Sequence, residues 1–375
     1  MKCWLIKKEI QEVLGKIQGL TNRKTNLFIT STVRLTTYSN DSIRIEATDL
    51  ETDFSGLYPA DIDTEGSVCI NAKKFFEIIK NYPSEKILIH EVENRWIEIG
   101  EGKLLFHIVG MNPDDFPEIG KDTHDTFIPV DSFLFKKLIE KNLSIPALVD
   151  EKRIYNQAVL LESFKDDNGN CLLRGVSTDS RRMIKYDMPS DQLFPFSGDE
   201  KSLLIPKKAL SELLKFLDTV TPVKIGTHHN RFVVVKDSEI FSITLLEGGF
   251  PGYQDIMKFN PDHIILFNRQ AFLMSLKRMS ILSDDDYKAI IFSFEQNKLL
   301  LMTSNPDLGE SHEELEILFD RAPFEVAFNP KFFMDALASI EDEMAHIYLR
   351  DHESACVIKG ATENHFISVI MPIRI

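Results

Sequence analysis

What the sequence lacks narrows its chemistry first. Its four cysteines, Cys3, Cys69, Cys171 and Cys356, are scattered over 375 residues and form no CxxC pair. Metal sites and disulfide frameworks space their cysteines closely and in pattern, so reduced, mostly buried thiols are expected, with no metal and no cofactor. No HExxH, GxxxxGK[ST] or GxSxG is present, which removes the sequence marks of zinc hydrolases, phosphate-loop enzymes and serine hydrolases. Nothing approaches the roughly 18 consecutive apolar residues of a membrane-spanning helix. The opening MKCWLIKKEI sets Lys7, Lys8 and Glu9 where a signal peptide needs an unbroken apolar run. A cytoplasmic chain with no membrane partner is the expectation. Positive charge is also in deficit: the net is −15, which as a total disfavours a polyanion partner but says nothing of where the charges lie.

What is present is a repeat. NAKKFFEIIK from Asn71, IPKKALSELLK from Ile205 and NPKFFMDALA from Asn329 each read as a helix start, with Pro206 and Pro330 suited to the first turn. Two strand-like runs around a polar turn follow each of them, and a closing strand begins near Phe106, Phe241 and Phe366. Those phenylalanines are 135 and 125 residues apart, against 134 and 124 for Lys73, Lys207 and Lys331, so two landmarks keep one period. The first half of each unit repeats too, as a helix from Lys7, Asp131 and Asn268 and then a hairpin. The second strand of that hairpin ends in Thr48-Asp49, Thr178-Asp179 or Ser304-Asn305. A pair that recurs three times is expected to be a turn held by its own short polar side chains rather than a catalytic carboxylate.

The fold class expected is therefore α+β, in three repeated domains at 1–125, 126–255 and 256–375, each with two helices packed on about eight antiparallel strands. No low-complexity linker separates them, so stiff joints are expected. The six repeated helices should occupy equivalent places, which allows their charges to be pooled. From Lys7 to Ile340 their windows hold 16 basic residues against 8 acidic, a net of +8 inside a chain of −15. Extending the last window through Glu341, Asp342 and Glu343 leaves +5. An acidic body with one positive surface suits loose contact with phosphates, which carry no sequence information.

The pieces ATDLE from Ala47, STDSRRM from Ser177, EGGFPGYQDI from Glu247, SILS from Ser280 and the terminal VIMPIRI, in this order and within the threefold repeat, make the chain resemble the bacterial DNA polymerase III β subunit, the sliding clamp family, over its full length. The resemblance implies a homodimer closed head to tail into a six-domain ring, a processivity factor with no catalysis of its own. Duplex DNA would be held without sequence specificity by Arg23, Lys24, Lys74, Lys80, Lys137, Lys141, Arg153, Tyr155, Lys208, Arg269 and Lys277. The implied dimer contacts are Phe106 and Lys103 against Ile281 and Leu282. A pocket between the second and third domains would take short apolar peptides from the replicative polymerase, the clamp loader and other DNA-processing proteins. Its residues would be Thr178, Arg182, Met183, Pro251, Ile256, Val369, Met371, Pro372, Ile373 and Arg374, with Thr178, Arg182 and Arg374 as polar contacts at the edge. The chain departs from many relatives at Ser180-Arg181, where they carry Gly-His, at Asn156, where they carry Leu, and at Asp255, where they carry Arg. The last two make the rim more polar and less basic.

Two other classes compete. A metal-dependent hydrolase would have to use His228-His229, placed at a predicted hairpin turn, or the run Asp284-Asp285-Asp286, which reads as a solvated loop. A scaffold binding proteins but not DNA would show no positive bias on its helices.

Overall fold

The structure is a computed structural model that describes residues 1–21, 27–120, 126–148, 152–196, 201–257, 264–283 and 289–374. The first copy of the repeat runs β1 (Lys2–Ile6), α1 (Lys7–Thr21), β2 (Thr32–Ser39), β3 (Ser42–Thr48), β4 (Thr52–Thr64), β5 (Ser67–Asn71), α2 (Ala72–Asn81), β6 (Lys86–Glu91), β7 (Trp96–Glu101) and β8 (Leu104–Val109). The second has the same order: β9 (Ile128–Val130), α3 (Ser132–Leu143), β10 (Ala158–Lys165), β11 (Cys171–Thr178), β12 (Arg182–Pro189), β13 (Ser202–Pro206), α4 (Lys207–Phe216), β14 (Val223–His228), β15 (Arg231–Lys236) and β16 (Glu239–Thr244). So does the third: β17 (Ile264–Asn268), α5 (Arg269–Met279), β18 (Ile290–Glu295), β19 (Lys298–Asn305), β20 (Gly309–Glu316), β21 (Phe324–Phe328), α6 (Pro330–Ser339), β22 (Met344–Tyr348), β23 (Cys356–Gly360) and β24 (Phe366–Ile370).

Local chemistry explains where the helices begin. Asn71, Asn268 and Asn329 cap α2, α5 and α6, their side chains accepting from the amides of Lys74, Ala271 and Lys331. Each such cap is worth about 1 kcal/mol. Pro330 occupies the first turn of α6, where its missing N–H costs nothing. Pro206 instead ends β13, one residue before α4 begins, so the expected first-turn role holds for only one of the two prolines. One face of each helix is apolar and buried: Ile10, Val13, Leu14 and Ile17 in α1, and Phe272, Leu273 and Leu276 in α5. In the third copy Phe292 lies 5.9 Å from Phe272, 5.3 Å from Phe328 and 5.0 Å from Phe333, so strand and helix rings interlock.

Among the described residues all strand pairs are antiparallel, and two of them join one copy to the next. β4 pairs with β16, Thr52 opposite Ile243 and Asp53 opposite Ser242. β12 pairs with β24, Arg182 opposite Ile370 and Met183 opposite Val369. These pairings decide how the chain divides by contact. One compact unit holds Met1–Lys136, Ser190–Lys201 and Lys208–Leu246; the other holds Lys137–Pro189, Ser202–Lys207 and Glu247–Ile375. The division runs through the second copy, because the first copy shares a sheet with the back half of the second, and the third copy shares one with its front half. By the same pattern β20 should take the last strand of a following copy, and β8 should lie beside a preceding one. Among the described residues neither does: each ends its sheet.

No helix among the described residues is long and apolar enough to cross a membrane. All four cysteines are free. Burial pushes the Cys3 thiol up to about 12 and the Cys69 thiol up to about 11, and it raises Cys356 further. Cys171 is half-buried. Since only thiolate reacts, Ellman's reagent at pH 8 should modify Cys171 first and reach the other three only as the chain unfolds. Rapid modification of all four in the native protein would contradict these strand placements.

Candidate functional site

The repeated Thr-Asp pair forms the turn expected of it. Thr48 Oγ1 accepts from the Leu50 amide at 2.8 Å, and Asp49 Oδ1 accepts from Glu51 and Thr52 at 3.1 and 2.7 Å. In the second copy Thr178 Oγ1 accepts from Ser180 at 3.0 Å, and Asp179 Oδ1 accepts from Arg181 and Arg182, both at 3.0 Å. Asn305 does the same for Asp307 and Leu308. Leu50 and Ser180 both sit at positive φ, 77° and 72°. A side chain there costs about 1 kcal/mol relative to glycine, and the Ser180 hydroxyl has a partner in Asn156 Oδ1 at 3.1 Å.

This turn delivers β12 to β24, and the register continues past the strand end. The Met371 amide donates to Arg181 O at 2.9 Å and the Ile373 amide to Ala327 O at 2.8 Å, so the terminal segment is stitched to both β12 and β21. The expected pocket residues divide in two. Thr178, Arg182, Met183 and Val369 are buried, whereas Pro251, Ile256, Met371, Ile373 and Arg374 are exposed and Pro372 is half-buried. Ile256 and Met371 are each 44% exposed, which marks apolar surface left uncovered. Leu148, outside the expected set, is also exposed, at 46%.

Arg182 and Thr178 differ from the edge contacts expected of them. Arg182 Nε donates to Asp179 at 3.0 Å, Nη1 donates to Asp335 of α6 at 2.6 Å, and the guanidinium lies 4.4 Å from the centre of the Phe332 ring. A buried guanidinium needs such partners, and here they tie β12 to α6. The Thr178 hydroxyl is spent within its own turn, donating to Arg182 O at 2.7 Å. Of the polar contacts expected at the edge, only Arg374 is exposed.

The equivalent junction in the first unit has the same backbone but other chemistry. The Thr244 amide donates to Glu51 O at 2.8 Å, as Met371 does to Arg181. Where the second unit has Met183 opposite Val369, the first has Asp53 opposite Ser242, with Arg231 bound to both at 2.6 and 2.7 Å. An ion pair fills the place of an apolar floor.

The helix cations also separate. Lys74, Lys80, Lys208 and Lys277 are exposed, Lys74 holding Glu77 at 3.0 Å. Lys137 and Lys141 close on Glu341 at 2.7 and 3.5 Å, an acid the pooled count stops one residue short of. Arg269 donates to Asp342 O and Leu337 O at 2.8 and 3.3 Å, closing the end of α6. These three are held inside the fold rather than presented to a ligand. Arg153 is exposed at the head of the turn Ile154–Gln157, and Tyr155 is half-buried 5.9 Å from the Phe250 ring. Arg23, Lys24 and the Asp284-Asp285-Asp286 run lie outside the described residues. A cleft of about 890 Å³ is lined by Lys7, Lys8, Lys16 and Lys215 together with Glu12 and Glu85. None of these lysines is among the DNA contacts expected, and Lys16 and Lys215 pair with Glu12 and Glu212.

At the free edges, Leu104, Leu105 and Val109 of β8 are 37, 42 and 61% exposed, Lys103 is exposed and Phe106 is half-buried. Ile281 is 74% exposed, in the short turn after α5, and Leu282 beside it is half-buried. On β20, Glu310, Glu314 and Glu316 are exposed. His228 and His229 meet ring to ring at 4.3 Å at the β14–β15 turn, with His229 at φ 48°, as a hairpin turn requires.

Replacing Arg182 with Met keeps the bulk and strands Asp179 and Asp335. Losing one partner of a buried pair costs about 3–5 kcal/mol, and that loss should be read in urea denaturation. An unchanged midpoint would remove the guanidinium from its place as the tie between β12 and α6.

Three family profiles match the sequence: DNA polymerase III beta subunit, N-terminal domain over residues 1–120, central domain over 129–252 and C-terminal domain over 256–374. The chain is 24% identical over 368 residues to a protein named beta sliding clamp from Pseudomonas putida, covering 96% of each. It is also 24% identical over 377 residues to the beta sliding clamp of Escherichia coli, covering 100% of each. The crystal structure of the DNA polymerase III subunit beta from Pseudomonas aeruginosa superposes with a TM-score of 0.91 at 23% identity, covering both chains in full.

Proposed function

The chain belongs to the DNA polymerase III beta subunit family, the non-catalytic sliding clamps, and on that premise we propose that two copies close into a ring around duplex DNA in the cytoplasm. The observation that carries this reading is the pair of unfilled edges. Each copy of the repeat offers its fourth strand to the last strand of the next, and the chain ends with β20 still offering and β8 still unclaimed. A second chain fills both vacancies at once, β8 of each against β20 of the other. Exposed acids on β20 and Lys103 beside β8 supply opposite charge, while Phe106, Ile281 and Leu282 supply apolar anchors worth about 1.5–3 kcal/mol each. The proposed domains, 1–125, 126–255 and 256–375, are copies in sequence rather than the units that contacts define.

DNA is held loosely, through phosphates, by Lys74, Lys80, Lys208, Lys277 and Arg153, together with the cleft lysines. Each phosphate contact adds about −0.9 to the slope of log affinity against log salt. Loaded on a nicked circle, the ring should stay bound in salt and slide off when the circle is cut. A variant with Ile281→Ala and Leu282→Ala should sediment as a folded monomer and never be retained. Retention after linearisation, or a dimeric variant at low micromolar concentration, would refute the ring.

The replicative polymerase, the clamp loader and other DNA-processing proteins dock by short apolar peptides at the exposed Pro251, Ile256, Met371, Pro372 and Ile373, over the buried Met183 and Val369. Two large side chains seated there would gain roughly 3–6 kcal/mol of gross burial. Ordering the peptide takes part of that back, so micromolar affinity is expected. Deleting residues 371–375 should abolish binding of a labelled peptide with a Gln, a Leu and a terminal apolar-aromatic pair, measured by anisotropy, while the dimer persists. Undiminished binding to the folded, truncated chain would move the site elsewhere.

A further inference from the structure

Lys73, Lys207 and Lys331 hold the same place in the three copies of the repeat, at the head of the second helix. Lys73 and Lys331 are exposed, but Lys207 is 2% exposed. Its ammonium donates to Asn156 O at 3.1 Å and to Thr178 O at 3.1 Å. These carbonyls belong to two separate segments: the turn Ile154–Gln157, whose Tyr155 packs against Phe250, and the end of β11, which turns into Arg182 and Met183. Both segments border the proposed peptide site. The copy that borders this site is thus the one whose lysine is drawn inward, and nothing in the repeat itself requires that.

We infer that Lys207 is a positioning residue for the peptide site, a charged latch whose ammonium holds the two wall segments in register, so that peptide affinity follows its protonation. The inference rests on the docking reading above and names a residue through which that site is controlled. Burial pulls the lysine down to about 8, with Asp179 opposing the shift and Arg182 adding to it. Asp335 faces the same group indirectly, as the second partner of Arg182. Below pH 8 the ammonium offers three donors. Above it the neutral amine keeps two and loses the charge that strengthens each bond to a carbonyl. The sign follows: if peptide binding favours the protonated latch, affinity is full below pH 8, falls above it, and binding near pH 8 takes up a proton.

The probe is the same labelled Gln- and Leu-containing peptide, titrated from pH 7 to pH 9 against the full-length wild type, Lys207→Gln and Lys207→Arg. Wild-type affinity should fall several-fold over that range, towards the limit of about tenfold that one group titrating near 8 sets when only its charged form binds. Lys207→Gln, which cannot be charged, should bind several-fold more weakly at pH 7 and show no such fall. Lys207→Arg should hold affinity at both ends. Calorimetry of the wild type at pH 8 in buffers of different ionisation enthalpy should report proton uptake that Lys207→Gln lacks. A residue with only a packing role would lower the melting temperature of the Gln variant and leave the pH profile parallel to wild type. Parallel profiles, or no uptake, overturn the latch while the docking site stands. A wild-type chain that binds no peptide at pH 7 overturns both.

Discussion

Strand pairing between consecutive copies is the constraint on which the rest of this molecule depends. A sheet edge presents a row of unpaired amides and carbonyls, and leaving it bare invites uncontrolled association. Here the edge of one copy is filled by the last strand of the next, β16 on β4 and β24 on β12. The packing units therefore cut across the repeat, the joints are hydrogen-bonded as ladders within one sheet, and among the described residues β8 and β20 lack the pairing that the repeat gives their counterparts. The proposed peptide site would arise from the same rule. The surface proposed for it lies where a turn and a closing strand meet, on backbone geometry that both junctions share.

What distinguishes the two junctions is side-chain chemistry on a common frame. Asp53, Ser242 and Arg231 satisfy one another at the first, whereas Met183 and Val369 at the second have only apolar surface to offer. A closed polar cluster has no use for an apolar peptide, since seating one would break charge-assisted bonds and repay nothing. Arg182, buried between Asp179 and Asp335, ties the second junction to α6 from beneath the proposed binding surface. Site and support are thus made by neighbouring residues of one strand pointing opposite ways.

Much of this was legible in the sequence, for identifiable reasons. The Asn caps and the Thr-Asp turns act within three or four residues, so composition and spacing reveal them. The repeat is legible because two landmarks keep one period. Legibility fails where a partner comes from far along the chain. Lys137 and Lys141 read as a basic helix face until folding brings Glu341 against them, about two hundred positions away. Arg182 reads as a surface cation until Asp335 closes over it. Lys207 is the extreme case: its sequence surroundings match those of Lys73, and only the fold sends one inward and the other out. Charge counted along a helix measures supply, and what remains for a ligand is set by contacts no window contains.

Of the sheet ends among the described residues, β8 and β20 are the two that the pattern of the repeat would pair. They are different surfaces, and a joint between unlike surfaces has no built-in stop unless the arc returns to its start. In the proposed ring of two copies the joints would be identical but independent. Breaking one leaves the halves tethered by the other, so the parted edges face each other at an effective concentration fixed by geometry rather than by how much protein the cell contains. Reclosure is then a first-order event. Such a clasp can be opened to admit a strand that has no free end and will shut again unaided, while full dissociation requires two ruptures to coincide.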